Sequence, residues 1–328
     1  MKIRIGKKDC ITDCKGVHVG HETLYEKISE KDTVCTGVTA ILPHGEDLFE
    51  NKVRAASYVI NGYGKTTGLI QVEELGLIES PIMLTNTFSV GPVLEGTLQY
   101  MLDKNKSIGD ETSSLNIIVG ECNDSYLNSM RIPSITPEHA LRALKKASRN
   151  KSEEGALGAG KGMICYSYKG GIGTASNVVS LGEKEFTFGA LILSNFGKAE
   201  EARFTKLKPS KAENPDGSIM IVLATDAPLS SRQLKRIAKR AGVGLSYTGS
   251  YYAHGSGDIV IAFSTANPYK HGNEELYDQA NFIREDHPIF NSFFQATANC
   301  VERAILSSLK NAETTLGRKG RKIKRIPN

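Results

Sequence analysis

Ser218 is set apart by its place in the chain rather than by a motif. Pro215, Asp216 and Gly217 before it are turn formers, Pro through its fixed φ and Gly through its tolerance of positive φ. Ile219 to Ala224 after it form a short apolar run rich in β-branched residues, which predicts a buried strand. A serine between a loop and a buried strand is where a hydrolase with an N-terminal nucleophile carries its reactive group. Cutting the Gly217–Ser218 bond gives Ser218 a free α-amine with a pKa of roughly 8. That amine can act as base for its own hydroxyl. The same residues also read as a loop entering a core strand, and position alone favours that simpler reading.

Other chemistries find less support. None of the seven histidines lies in Gly-x-Ser-x-Gly or His-Glu-x-x-His, and His254 is a lone loop histidine, so neither a Ser-His-Asp site nor metal hydrolysis is expected. Gly158, Gly160 and Gly162 around Lys161 suggest a phosphate loop, but Gly162 occupies the position that needs Ser or Thr. Met163 to Tyr168 then alternates like a strand, predicting a hairpin with Gly173–Val179 around a Gly170-Gly171 turn. The six cysteines show neither Cys-x-x-Cys spacing nor a zinc pattern. They read as reduced thiols of a cytoplasmic protein. No metal or cofactor is expected.

The net charge of +5 is local. Six basic residues fall between Arg318 and Arg325, with no acid after Glu313, and the rest of the chain is close to neutral. This reads as a solvated basic tail, which Ile323 and Ile326 suit to packing as a terminal strand, and not as a nucleic-acid footprint. No apolar run reaches the length of a membrane span, and the N-terminal residues lack the apolar core of a secretory signal.

Several elements could position Ser218. Strands are expected at Thr36–Leu42, Pro81–Thr87, Leu115–Gly120, Phe186–Leu193 and Ile259–Thr265, with Gly68–Leu77 a strand leading into a turn and Val53–Ile60 strand or helix. Helices are expected at Val90–Leu102, from Thr136-Pro137, over Ser230–Gly242 with Gly242 as C-cap, and over Ile289–Leu309. Residues 197–217 are largely polar, with Lys, Glu, Pro and Asn, and a linker of that length in a compact domain is usually functional or mobile. Strands and helices interleave on both sides of it, so residues 1–328 are read as a single domain.

Six ordered blocks resemble the L-aminopeptidase/D-esterase family, which includes the β-peptidyl aminopeptidases. They are Ile11-Thr-Asp with Gly16-Val-His-Val-Gly-His; Thr36-Gly-Val-Thr-Ala-Ile-Leu-Pro; Glu79-Ser-Pro-Ile-Met-Leu-Thr-Asn-Thr; Gly162-Met-Ile-Cys-Tyr with Lys169-Gly-Gly-Ile-Gly-Thr-Ala-Ser; Ser218 with Ala224-Thr-Asp-Ala-Pro-Leu; and Gly255-Ser-Gly-Asp with Ala262-Phe-Ser-Thr. The similarity runs in order from about Ile11 into the basic tail.

The resemblance implies an α/β fold, an αββα four-layer sandwich like that of N-terminal-nucleophile hydrolases and shared with the ornithine acetyltransferase group. It implies self-cleavage into an α-chain of 1–217 and a β-chain of 218–328, and a homo-oligomer, commonly a tetramer. Carried over by residue, Ser218 is the nucleophile and Asn195 supplies an amide to the oxyanion. Tyr126 is the loop aromatic of Asp124-Ser-Tyr-Leu-Asn. Ser256 hydrogen-bonds the Ser218 terminus, and Asp258 receives the substrate amine. Ala156 and Lys161 replace the family's Asn and Thr, and Ser125 its Gly; these departures bear on substrate preference, not on the nucleophile. The expected activity is a serine aminopeptidase or amidase acting on short peptides, amino-acid amides or esters through an acyl-enzyme. The alternatives are an acyltransferase on the same scaffold and a non-catalytic small-ligand-binding protein.

Overall fold

The apolar strands pair into two large sheets, and the ends of four of those strands converge on Ser218. The computed structural model describes residues 1–205 and 217–327, so Pro215, Asp216 and most of the polar linker lie outside it. In chain order the strands are β1 (Lys2–Ile5), β2 (His18–Lys27), β3 (Thr33–Leu42), β4 (Asn51–Gly62), β5 (Leu77–Ile78), β6 (Ile82–Asn86), β7 (Ile118–Cys122) and β8 (Ile164–Cys165). They continue as β9 (Tyr168–Lys169), β10 (Gly171–Leu181), β11 (Lys184–Asn195), β12 (Ser218–Thr225), β13 (Gly257–Lys270), β14 (Thr315–Leu316) and β15 (Lys322–Ile323). The helices are α1 (Leu69–Leu75), α2 (Val90–Lys104), α3 (Pro137–Lys145), α4 (Ser231–Ala238), α5 (Ala241–Tyr247) and α6 (Ile289–Lys310).

One sheet has seven strands in the order β1-β10-β11-β12-β13-β4-β5, the other four in the order β2-β3-β6-β7. Their inner faces meet. Leu191, Leu193, Met220, Val222, Ile259 and Ile261 from the larger sheet share a core with Ile41, Ile82, Leu84 and Ile118 from the smaller. On the outer face of the larger sheet, Ile192, Ile219, Ile221 and Val260 pack beneath Leu234, Leu245, Phe293 and Val301 of α4, α5 and α6. On the outer face of the smaller sheet, Val38, Ala40, Met83 and Val119 pack against Val93, Ala140 and Leu144 of α2 and α3. The order is helices, sheet, sheet, helices, the expected αββα sandwich. Strands buried on both faces account for the solid apolar runs in the sequence.

Strand directions build the site. β12 and β13 run parallel, so Ser218 and Gly257 begin side by side. β11 runs antiparallel to β12 and brings its last residue, Asn195, to the same edge.

Three expected elements differ. Residues 69–75 form helix α1 rather than a strand, opened by Gly68 and closed by Gly76, both in the left-handed region. Leu69, Val72 and Leu75 are spaced three apart, and Val72 is the buried member. The hairpin expected around Gly170-Gly171 turns instead at Tyr166-Ser167, both at positive φ, between β8 and β9. Gly171 begins the long strand β10, which pairs with β11. The helix from Ser230 starts as expected, with the Ser230 N–H donating to Gln233 Oε1 at 2.9 Å and the Gln233 N–H to Ser230 Oγ at 3.3 Å. It breaks after Ala238, and Gly242 lies inside α5 instead of capping α4. A Cβ on Gly244 would stand 2.3 Å from the Ala298 carbonyl oxygen, so α5 lies directly on α6 only because glycine is there.

The basic tail is packed. β14 pairs with β15, Ile323 is buried, and the Arg321 guanidinium lies 4.4 Å from the Tyr126 ring centroid. No helix among the described residues is long and apolar enough to cross a membrane.

Candidate active site

Ser218 continues the row of Met220 and Val222, which face the space between the sheets. Its hydroxyl opens into a pocket of about 150 Å³ lined by Tyr63, Lys65, Thr87, Glu121, Asn123, Gly217, Ser218 and Gly255. Ser218 Oγ is buried and has no hydrogen-bond partner among the described residues. A buried hydroxyl without a partner carries a desolvation cost, which a functional group can bear and a structural one rarely does. The Cys122 thiol sits beside Ser218; burial holds it well above the usual range, so it stays protonated and is no rival nucleophile.

Asn195 stands directly opposite Ser218 across the β11–β12 ladder. Its orientation is fixed from both ends: Oδ1 accepts the Ile164 N–H at 3.0 Å, and Nδ2 donates to the Asn123 carbonyl at 2.9 Å. An amide nitrogen carries two hydrogens, so one remains uncommitted among the described residues.

Ser256 and Asp258 flank Gly257, the neighbour of Ser218 in the parallel pair. Ser256 Oγ donates to Asp258 Oδ1 at 2.7 Å, and Asp258 Oδ2 has no partner among the described residues. Burial pushes the Asp258 carboxyl up to about 6 against the opposing effect of the Ser256 hydrogen bond. The Asn61 amide holds this turn by donating to the carbonyls of Ala253 at 3.0 Å and Ser256 at 2.5 Å. By strand alternation Asp258 falls in the row of Val260 and Ala262, which face the helices, and it does not line the pocket.

Tyr126 is not among the residues lining the pocket. It packs with Cys35, Leu127, Ile164 and Ile323, and its carbonyl accepts from Arg321 at 3.0 Å. The tail claims its ring. Lys161 is also drawn elsewhere, its ammonium 4.2 Å from the Tyr25 ring centroid.

Glu121 is the pocket residue that the sequence reading missed. One carboxylate oxygen accepts the Lys65 N–H at 2.8 Å and the other accepts the Thr87 hydroxyl. It is buried, and no ion pair among the described residues includes it. Its signal in the sequence was an acid near the end of the apolar run Ile118–Cys122. Of the groups able to act, Ser218 and Glu121 line one pocket, Asn195 stands opposite Ser218 and is tied to the pocket residue Asn123, and the Ser256–Asp258 pair lies beside them. Among the described residues no cluster of His, Cys, Asp and Glu could hold a metal ion.

The pattern of peptidase family S58 matches residues 9–323. The β-peptidyl aminopeptidase BapA of Sphingosinicella microcystinivorans is 35% identical over 349 aligned positions, covering 98% of this chain and 86% of the relative. Its namesake in Sphingosinicella xenopeptidilytica is 34% identical with the same coverage. Among solved structures, the L-aminopeptidase D-Ala-esterase/amidase of Ochrobactrum anthropi, described as a variant of the Ntn hydrolase fold, superposes with a TM-score of 0.92 at 32% identity, covering 100% of this chain and 93% of that one. A protein of Pyrococcus horikoshii OT3 superposes with a TM-score of 0.91 at 45% identity and the same coverage. The chain therefore belongs to peptidase family S58 and is a hydrolase of the aminopeptidase type, built on an Ntn-like αββα fold.

Proposed function

We propose that the chain is a self-processing serine aminopeptidase that releases N-terminal residues from short peptides, amino-acid amides or esters. The observation that carries this is the unpartnered Ser218 hydroxyl, buried at the head of β12 and lining one pocket with Gly217 and Glu121. In the processing step Ser218 Oγ attacks the Gly217 carbonyl carbon. The C–N bond breaks, an ester forms on Oγ, and the hydroxyl proton passes to the departing nitrogen. Water then hydrolyses the ester, leaving a Gly217 carboxylate and a free Ser218 α-amine. Favouring this step, the Gly217 carbonyl oxygen accepts the Gly257 N–H at 3.2 Å, a donor in place to stabilise the oxyanion.

In the catalytic cycle the freed amine takes the proton from its own hydroxyl, which attacks the substrate carbonyl. The remaining Asn195 Nδ2–H stabilises the tetrahedral oxyanion, the leaving amine departs with a proton, and water releases the acyl group. Ser256, whose hydroxyl leans on Asp258, is the residue assigned to the Ser218 amine.

For the substrate's ammonium the geometry favours Glu121 over Asp258, the acid named from the sequence. Glu121 lines the pocket and receives only uncharged donors, whereas Asp258 is engaged by Ser256 outside the lining. A buried carboxylate without a cation suits an incoming ammonium. We extend the proposal to assembly as a homo-oligomer, for which the exposed Leu276 and Tyr277 are candidate contacts. An intact-mass measurement on purified protein tests the central reading: two fragments divided at 217/218 support it, and a single uncut chain inert toward amino-acid p-nitroanilides overturns it.

A further inference from the structure

Lys169 is fully buried, and its ammonium donates to three main-chain carbonyls: Met163 at 2.6 Å, Gly170 at 2.7 Å and Gly160 at 3.0 Å. No ion pair among the described residues includes it. Burial pushes the Lys169 ammonium down to about 7, a cost not needed to close a hairpin turned at Tyr166-Ser167, and three carbonyl acceptors within 3.0 Å favour its protonated form. An ammonium has three donors, and all three are used here.

The Met163 carbonyl and the Ile164 N–H belong to one peptide unit. Lys169 grips the carbonyl end of that peptide, and Asn195 Oδ1 accepts its N–H end at 3.0 Å. The far end of the Asn195 amide, Nδ2, donates to the carbonyl of Asn123, which lines the pocket with Ser218, and keeps one N–H uncommitted among the described residues. The hydrogen bonds therefore form a line from Lys169 Nζ through one peptide and one side-chain amide to the place where negative charge develops. In such a chain each bond polarises the next, and a cation at its head strengthens every donor downstream.

We propose that Lys169 is a positioning residue for the oxyanion donor. It fixes the Met163–Ile164 peptide so that the Asn195 amide can present only its nitrogen to the Ser218 site, and it strengthens that nitrogen as a donor. The inference rests on the aminopeptidase reading and names a residue that never touches substrate. Gly160 and Gly170, held by the same ammonium, tie both ends of the 160–170 segment to this function.

A double-mutant cycle on the purified enzyme tests it, using Lys169→Met, Asn195→Ala and the pair, with an amino-acid p-nitroanilide as substrate. Removing an oxyanion donor costs on the order of 10²–10³ in kcat, and removing the support behind it should cost less, roughly tenfold, with KM little changed. Because Lys169 acts through Asn195, the pair should be no slower than Asn195→Ala alone. Multiplying losses in the pair, or a Lys169→Met enzyme with unaltered kcat, would overturn the proposal. A general packing defect would give the multiplying pattern, so the cycle separates positioning from bulk stability. Should Lys169→Met not fold, Lys169→Gln, which keeps an N–H donor but no charge, takes its place under the same criteria. If wild-type protein neither processes nor turns over substrate, it is the aminopeptidase reading that has failed.

Discussion

The Gly257 N–H donates to the Gly217 carbonyl oxygen at 3.2 Å, as part of the parallel pairing of β12 and β13. An ordinary ladder bond thereby polarises the carbonyl next to Ser218. In water such a bond contributes little net energy, but at a developing oxyanion in a closed site it contributes far more. Ser218→Ala should remain one polypeptide while the wild type resolves into residues 1–217 and 218–328 on a denaturing gel and by intact mass. A wild type cut elsewhere, or a Ser218→Ala chain cut at the same bond, would assign the cleavage to a contaminating protease.

Asn195 faces Ser218 with one N–H uncommitted. Asn195→Ala should lower kcat by on the order of 10²–10³ while leaving the fold intact, because the strand pairing is carried by the main chain. Steady-state kinetics with thermal unfolding on the same sample checks both halves. Near-wild-type turnover would reduce Asn195 to a strand-end residue that merely fastens Ile164 and Asn123.

The sheet cores were legible in the sequence because both faces of their strands are buried: β12 carries the solid apolar run Ile219–Ala224, β6 begins Ile-Met-Leu, and β3 is a β-branched stretch with no charged residue. Helix α1 was not, because at seven residues with Val72 as its buried member it offers too few positions to separate a period of two from one of 3.6. Ser218 was singled out by its place before a buried strand and, with Asn195, by ordered resemblance; the register that sets the two opposite each other exists only once β11 and β12 pair. Glu121 was overlooked for a related reason. Its neighbours in the pocket, Lys65, Thr87 and Ser218, are distant in sequence and meet only where the two sheets close. The packing of Tyr126 against Arg321 of the basic tail was likewise hidden, because the two are distant in sequence.

Asp124 should leave a signature in the pH dependence of stability. It is wholly buried, Asn128 Nδ2 donates to Oδ1 at 3.0 Å, and burial pushes its carboxyl up to about 7. The unfolded chain loses this proton near 4. Between about 4 and 7 the native state therefore holds a proton that the unfolded state has released, so this group's contribution to stability falls as pH rises through that window. Asp124→Asn cannot ionise and should lose that part of the slope, destabilising less, relative to wild type, at pH 8 than at pH 5. Urea midpoints for both proteins at the two pH values give the comparison. A difference between them that is independent of pH would mean that Asp124 is not protonated in the folded chain near neutrality.

The proposed role of the same pocket predicts a demand for a free amine. On the proposed reading, Glu121 is the carboxylate in the lining that would receive the ammonium of the incoming residue. Both of its oxygens are already oriented, one by the Lys65 N–H and one by the Thr87 hydroxyl, so it is held in place without being neutralised. Wild-type enzyme should therefore cleave a free-amine p-nitroanilide and refuse its N-acetylated counterpart, which carries no charge and adds bulk at the anchor. Glu121→Gln keeps the hydrogen-bonding shape and removes the charge; it should raise KM for the free-amine substrate by one to two orders of magnitude, since a charge-assisted hydrogen bond is worth about 1.5–3 kcal/mol. Asp258→Asn, outside the lining and engaged by Ser256, should act mainly on kcat through the Ser218 amine. The reverse pattern, with Asp258→Asn raising KM selectively and Glu121→Gln leaving it alone, would return the ammonium to Asp258. Equal hydrolysis of blocked and free substrates by the wild type would remove the anchor altogether and leave a general amidase.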